Sequence, residues 1–112
     1  MKNKIVLVPF PFDDLSTTKV RPAVCLTDEI NPYGHVVLAF ITSRASRSPS
    51  ATDLAIHDSD ADFSGTGLKV SSTIRLHRLM TVSRSIIKRR LGNLSFRQQK
   101  EVDSRLRKLF KI

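Results

Sequence analysis

The sequence is short of everything that staples a chain, ligates a metal or spans a membrane. One cysteine in 112 residues excludes an internal disulfide. Cys25 lies in the apolar run Ala23-Val24-Cys25-Leu26, which suits a buried small hydrophobe in a reducing cytoplasm better than a reactive thiol. No apolar run reaches the length of a membrane helix. Met1-Lys2-Asn3-Lys4 is a basic tip, but the apolar run behind it is short, is closed by Pro9 and Pro11 and has no small-residue cleavage site, so it reads as a first strand and not as a leader. There is no internal repeat, no Gly-rich phosphate loop, no Cys/His zinc spacing and no nucleophile elbow around a serine. Asp58, Asp60 and Asp62 alternate as in a calcium loop, yet the glycine and the late glutamate of that loop are missing. No metal and no cofactor are expected. His35, His57 and His77 are far apart in sequence and read as strand-face histidines, with paired imidazole catalysis left open.

Acid is scarce where base is dense. The net charge is +9, and residues 69–112 hold thirteen Lys/Arg against two Asp/Glu, whereas residues 1–68 hold six against eight. A field confined to the C-terminal part favours a polyanion or an acidic protein segment as partner, the alternative being an ordinary solvated basic face. The length fits one domain, residues 1–112, with a core that buries roughly two thirds of the unfolded surface.

Ile5-Val6-Leu7-Val8 is a continuous apolar run without helical spacing, so it reads as a strand buried on both sides. Phe10 to Thr18 has loop chemistry with two aromatics that need cover, which suggests a flap. Val20 to Leu26 reads as a second strand, Asp28 to Gly34 as a turn and His35 to Thr42 as a third strand. Arg44 to Thr52 is an exposed basic loop, Asp53 to His57 a short strand and Asp58 to Gly67 an acidic link. Leu68 to Val82 is a basic strand carrying Arg75 and His77 on one face, able to line a polyanion groove or simply to be solvated. Ser83 to Ile87 reads as a turn or helical turn, and Lys88 to Leu94 as a last short strand and turn. Ser95 with Gln98 makes a capping box, and Val102, Leu106, Leu109 and Phe110 recur at helical spacing, which predicts an amphipathic helix over 96–110.

Arg21 is the residue that asks for a reason. Pro22 lacks an N–H, marks a strand start or an edge, and holds Arg21 in extended geometry. Arg21 then either lays its stem along the strand end with its head in water or belongs to a site. A turn centred near Asn31 and Pro32 pairs residues so that Arg21 lies opposite or diagonal to Thr42, with Ser43 beside it, a register that a slip of one residue would break. One hairpin would thus bring a guanidinium and a Thr-Ser pair to the same open end.

Five stretches in this order, Ile5 to Leu15, Lys19 to Val24, Ile41-Thr42-Ser43, Gly67-Leu68-Lys69 with Ser72 to Arg75, and Leu91 to Ser95, resemble the MazF/PemK (Kid) growth-inhibiting toxins of type II toxin–antitoxin systems. The resemblance covers nearly the whole chain. It implies a mainly β, α+β fold: an SH3-like small barrel with an additional antiparallel sheet and a C-terminal helix, as in CcdB, Kid and MazF. It further implies a cytoplasmic homodimer and a metal-independent, sequence-selective endoribonuclease acting on single-stranded mRNA, neutralised by an antitoxin with an acidic C-terminal segment. The family's catalytic arginine and threonine fall on Arg21 and Thr42. RNA contacts are expected from Lys19, Phe12, Ser43, Arg44, Arg47, Lys69 and Arg75, with base choice in the loops Phe10 to Thr18 and Arg44 to Thr52. Some members carry a glutamate where this chain has Ser16; Asp13 or Asp14 are candidates to replace it as acid or base, and the general base is otherwise unassigned. Two other functions fit the same residues: a topoisomerase poison of the CcdB kind, which would not need Arg21 and Thr42 together, and a basic nucleic-acid-binding module without catalysis.

Overall fold

The computed structural model of the chain describes residues 1–9, 19–30, 32–44 and 50–112. Six strands are joined in one antiparallel sheet: β1 (Lys4–Pro9), β2 (Val20–Cys25), β3 (His35–Thr42), β4 (Asp53–Ile56), β5 (Ser72–Ser83) and β6 (Arg89–Asn93), in the order β4-β5-β3-β2-β1-β6. One α-helix among the described residues, α1 (Phe96–Phe110), follows. The central strands are buried on both faces, as their unbroken apolar runs predict. Ile5, Val24, Ala39, Ile41, Ile74 and Leu76 point to the core shared with α1, where Val102 and the half-buried Leu106 close it. Val6, Val8, Ala23, Cys25, Leu38 and Phe40 form a second core on the opposite face, against Met80, Ile86 and Ile87. Each fully buried Val, Leu or Ile contributes about 1.5–3 kcal/mol. Burial pushes the Cys25 thiol up to about 11, so it stays protonated and packs as a hydrophobe.

The small barrel and additional sheet expected from the resemblance are one continuous six-stranded sheet, a half-barrel, in which β5 pairs with both β3 and β4. Its C-terminal part pairs with β3 from His35↔Ser83 to Ala39↔Leu79, after which the register jumps to Phe40↔Arg75. Leu76, His77 and Arg78 are left without partners on β3 across that break, and the strand bends there. Beyond the bend, Thr73 to Arg75 pair with β3 on one side and β4 on the other, and Ser72 pairs with β4 alone. The strand starts at Ser72 and not at Leu68, since Gly67, with φ +72°, ends the 3₁₀ turn Ser64–Thr66. That turn packs against β6 at backbone distance. Thr66 is fully buried, donating its hydroxyl to the Phe63 carbonyl (2.6 Å) and accepting the Leu68 N–H (3.2 Å).

The helix begins where the capping box predicts. Ser95 Oγ accepts the Gln98 N–H (3.1 Å), and Gln98 Oε1 accepts the Ser95 N–H (2.8 Å). The Ser95 hydroxyl donates to Asp62 Oδ2 (2.6 Å), and Arg97 adds a fork of 3.0 and 2.9 Å to the same carboxylate. Asp62, one of the three alternating aspartates, therefore anchors the acidic link to the helix start. The Arg97 guanidinium and the Ser95 hydroxyl hold its carboxyl down at about 2. A carboxyl depressed in the folded state stabilises above its unfolded pKa and loses that contribution as pH falls through the folded value. Thermal melts are thus expected to show wild type losing stability between about pH 4 and pH 2, with Asp62→Asn less stable at neutral pH and converging on wild type at the acid end. Parallel curves for the two proteins would show that the cluster carries no linked stability.

Candidate active site

The β2–β3 hairpin has the register its turn predicts: Ala23↔Phe40, Val24↔Ala39 and Cys25↔Leu38. Continued two residues outward, it sets Arg21 level with Thr42. The β2–β3 ladder ends at Ala23, so Pro22 stands at its open end, while on the other side Arg21 pairs with Val8 of β1. Arg21, the second residue of β2, is half-buried.

A cavity of about 300 Å³ opens at this end of the sheet, lined by Lys19, Arg21, Thr42, Arg44, Arg75 and Arg78 over a floor from Phe40 and Ile41. Five cations converge on one concavity, and among the described residues its lining holds no carboxylate and no imidazole. Such a field attracts a phosphate backbone before any specific contact forms. The Arg44 N–H donates to Thr42 Oγ1 (3.1 Å), which fixes that hydroxyl at the cavity rim as the loop departs. Arg75 reaches the cavity from the middle of three strands, with Phe40 and Asp53 as its register partners.

Of the residues expected from sequence, Lys19, Arg21, Thr42, Arg44 and Arg75 come together here. Ser43 follows Thr42 on the exposed side and Lys69 lies in the exposed turn before β5; neither lines the cavity. Phe12, Asp13, Asp14, Ser16 and Arg47, and with them the flap, lie outside the described residues. The histidines are dispersed: His77 Nδ1 lies 3.1 Å from Thr52 Oγ1, His35 stacks on Tyr33 with ring centroids 5.5 Å apart, and the His57 N–H donates to Asp60 Oδ2 (3.2 Å). Sequence reasoning missed Arg78, whose turn toward the cavity depends on the bend in β5, and Asp53, which read only as the first residue of a strand.

The sequence matches the model of the PemK-like, MazF-like toxins of type II toxin–antitoxin systems over residues 1–110. Solved structures of similar fold include the Mycobacterium tuberculosis toxin MazF-mt6, 20% identical with a TM-score of 0.74 and coverage of 97% of either chain. A mycobacterial endoribonuclease in complex with its cognate antitoxin is 12% identical, with a TM-score of 0.74 over 100% of this chain and 95% of that one. Another mycobacterial endoribonuclease is 13% identical, with a TM-score of 0.70 over 100% of this chain and 91% of that one. At these identities the likeness is one of fold. The comparison with curated protein sequences returns no match. Matched along almost its entire length, the chain belongs to the PemK-like, MazF-like family of type II toxins.

Proposed function

We propose that the chain is a metal-independent endoribonuclease that cuts single-stranded RNA in the cavity above Arg21. The observation that carries this reading is the meeting of Arg21 and Thr42 in one concavity ringed by four further cations; membership of a toxin family and structural neighbours described as endoribonucleases support it. In the reaction the ribose 2′-OH attacks the adjacent phosphorus, the P–O5′ bond breaks, and the products are a 2′,3′-cyclic phosphate and a 5′-OH. Charge grows on the non-bridging oxygens as the fifth bond forms. A guanidinium meets those oxygens as a fork, a contribution of several kcal/mol where water is excluded. Arg21, half-buried and with its backbone paired to β1, would take that role; a guanidinium suits charge stabilisation and not proton abstraction. Thr42, whose oxygen already accepts the Arg44 N–H, has its hydroxyl hydrogen to donate to the same phosphate. Lys19, Arg44, Arg75 and Arg78 would hold flanking phosphates.

The same charge makes the cavity a seat for an acidic, extended segment, and one structural neighbour is held by its cognate antitoxin. An antitoxin segment lying over Arg21 on a homodimer is the corresponding reading here. Purified protein incubated with single-stranded RNA in EDTA is expected to cut it at preferred sequences with turnover. Intact RNA at stoichiometric enzyme overturns the proposal; salt-sensitive binding without cleavage would point to a non-catalytic module, and inhibition of supercoiling without RNA cleavage to a topoisomerase poison.

A further inference from the structure

Asp53 is a buried carboxylate with an incomplete set of partners. Its side chain is 3% exposed. Oδ2 accepts the Ser50 N–H (3.1 Å), but Oδ1 faces Arg75 Nε at 3.5 Å, an ion-pair distance without a hydrogen bond, and both atoms are buried with no hydrogen-bond partner among the described residues. A carboxylate taken out of water costs several kcal/mol unless it is paired and hydrogen-bonded, so a pure stability role would call for a closed bond here. The surroundings hold Asp53 firmly. Arg105 of α1 donates from one Nη1 to the carbonyls of Ala51 (2.8 Å) and Asp53 (3.0 Å), tying the start of β4 to the helix. Asp53 and Arg75 are also direct register partners across β4 and β5. The slack in the pair therefore lies in the Arg75 side chain, which is a third exposed and lines the cavity.

We propose that Asp53 is a positioning residue for Arg75, holding the Nε side of its guanidinium so that the two Nη groups are offered to an RNA phosphate as a fork. The inference rests on the ribonuclease reading of the cavity. A guanidinium backed by a fixed carboxylate loses less freedom when the phosphate arrives, and the long Nε···Oδ1 contact closes as the anion draws Arg75 into line. Because Asp53 touches no reacting atom, it acts on binding and not on the chemical step.

The test is steady-state RNA cleavage by Asp53→Asn, Asp53→Glu, Arg75→Gln and the Asp53→Asn/Arg75→Gln double variant. Binding to the DNA strand of the same sequence, which lacks the attacking hydroxyl, is measured as a function of salt. Asp53→Asn is expected to raise KM about tenfold with kcat within about threefold of wild type, Asp53→Glu to raise it about threefold, and the double variant to match Arg75→Gln alone. The salt slope for Asp53→Asn should fall by about 0.7, one phosphate contact on a single strand. An unchanged KM and slope, or additive effects of the two substitutions, overturn the inference while leaving the nuclease intact. Should Asp53→Asn not fold, the KM of Asp53→Glu decides alone, an unchanged value overturning the proposal. A wild-type protein that neither binds the strand nor cuts RNA overturns the nuclease reading and this inference together.

Discussion

Arg21→Ala is expected to lower the rate of RNA cleavage by about 10³-fold, the loss typical of deleting a preorganised donor to developing charge, while Tm stays within a few degrees of wild type. The two readouts separate because Arg21 contributes little to either core: both apolar clusters are built from the other residues of β2, Ala23, Val24 and Cys25. The charge alone does not suffice. Arg21→Lys keeps the cation but replaces the planar fork with a point charge, so it should recover only a small part of the rate. The neighbouring cations sharpen the comparison, since Lys19, Arg44, Arg75 and Arg78 remain to bind the strand in the variant. RNA affinity should therefore drop far less than kcat. A variant that cuts at the wild-type rate would remove Arg21 from the chemistry; one that fails to fold would show that its role is packing.

Gly92→Ala is expected to destabilise the protein by about 2–3 kcal/mol, the upper range for forcing an extra group into a packed contact, and to lower Tm by about 10–15 °C for a chain of this size. A Cβ at Gly92 would run into the carbonyl oxygen of Gly65 and would lie 2.6 Å from that of Thr66. These are backbone atoms, so no rotamer change relieves the overlap. The obstacle is the 3₁₀ turn that leads into β5, and Thr66, fully buried with both hydroxyl roles used, cannot withdraw. Gly67 meets β6 in the same way at the Leu91 carbonyl, with the added constraint of φ +72°. By contrast Gly65→Ala, with nothing near its would-be Cβ, should be close to neutral. Denaturation curves for the two variants check this directly, and equal stability would mean that the turn and β6 can separate without cost.

These glycines mark the boundary of what the sequence discloses. Gly67 and Gly92 lie in stretches that resemble the toxin family, but their purpose, the backbone of Gly65 to Gly67 brought against that of Leu91 and Gly92, is a tertiary contact that no local pattern announces. The hairpin was legible because its turn chemistry and the apolar runs on both sides agree on one register, and a slip of one residue would have reversed every side chain. The capping box of α1 was legible for a similar reason: Ser95 and Gln98 bond to each other's backbone over three residues. The bend in β5 was not. Leu76, His77 and Arg78 continue the strand's composition, and at the break the Leu76 N–H goes instead to the Thr52 carbonyl (3.0 Å), a partner that no local pattern names. Arg78 and Asp53 were missed as site residues on that account, since the first needs the bend to reach the cavity and the second is hidden beneath Arg75. Arg21 itself was visible as an anomaly, a charge at the entrance to an apolar run; that five cations share its cavity became apparent only when β2, β3 and β5 were brought side by side.

The central claim is that this cavity cleaves RNA by transesterification, and the nature of the product ends tests it most directly. A short single-stranded RNA containing one preferred site, incubated with catalytic amounts of wild-type protein in EDTA and analysed by mass spectrometry, should yield fragments ending in a 2′,3′-cyclic phosphate and beginning with a 5′-OH, and Arg21→Ala should yield almost none. Fragments with 5′-phosphate ends, or equal yields from the two proteins, would contradict it.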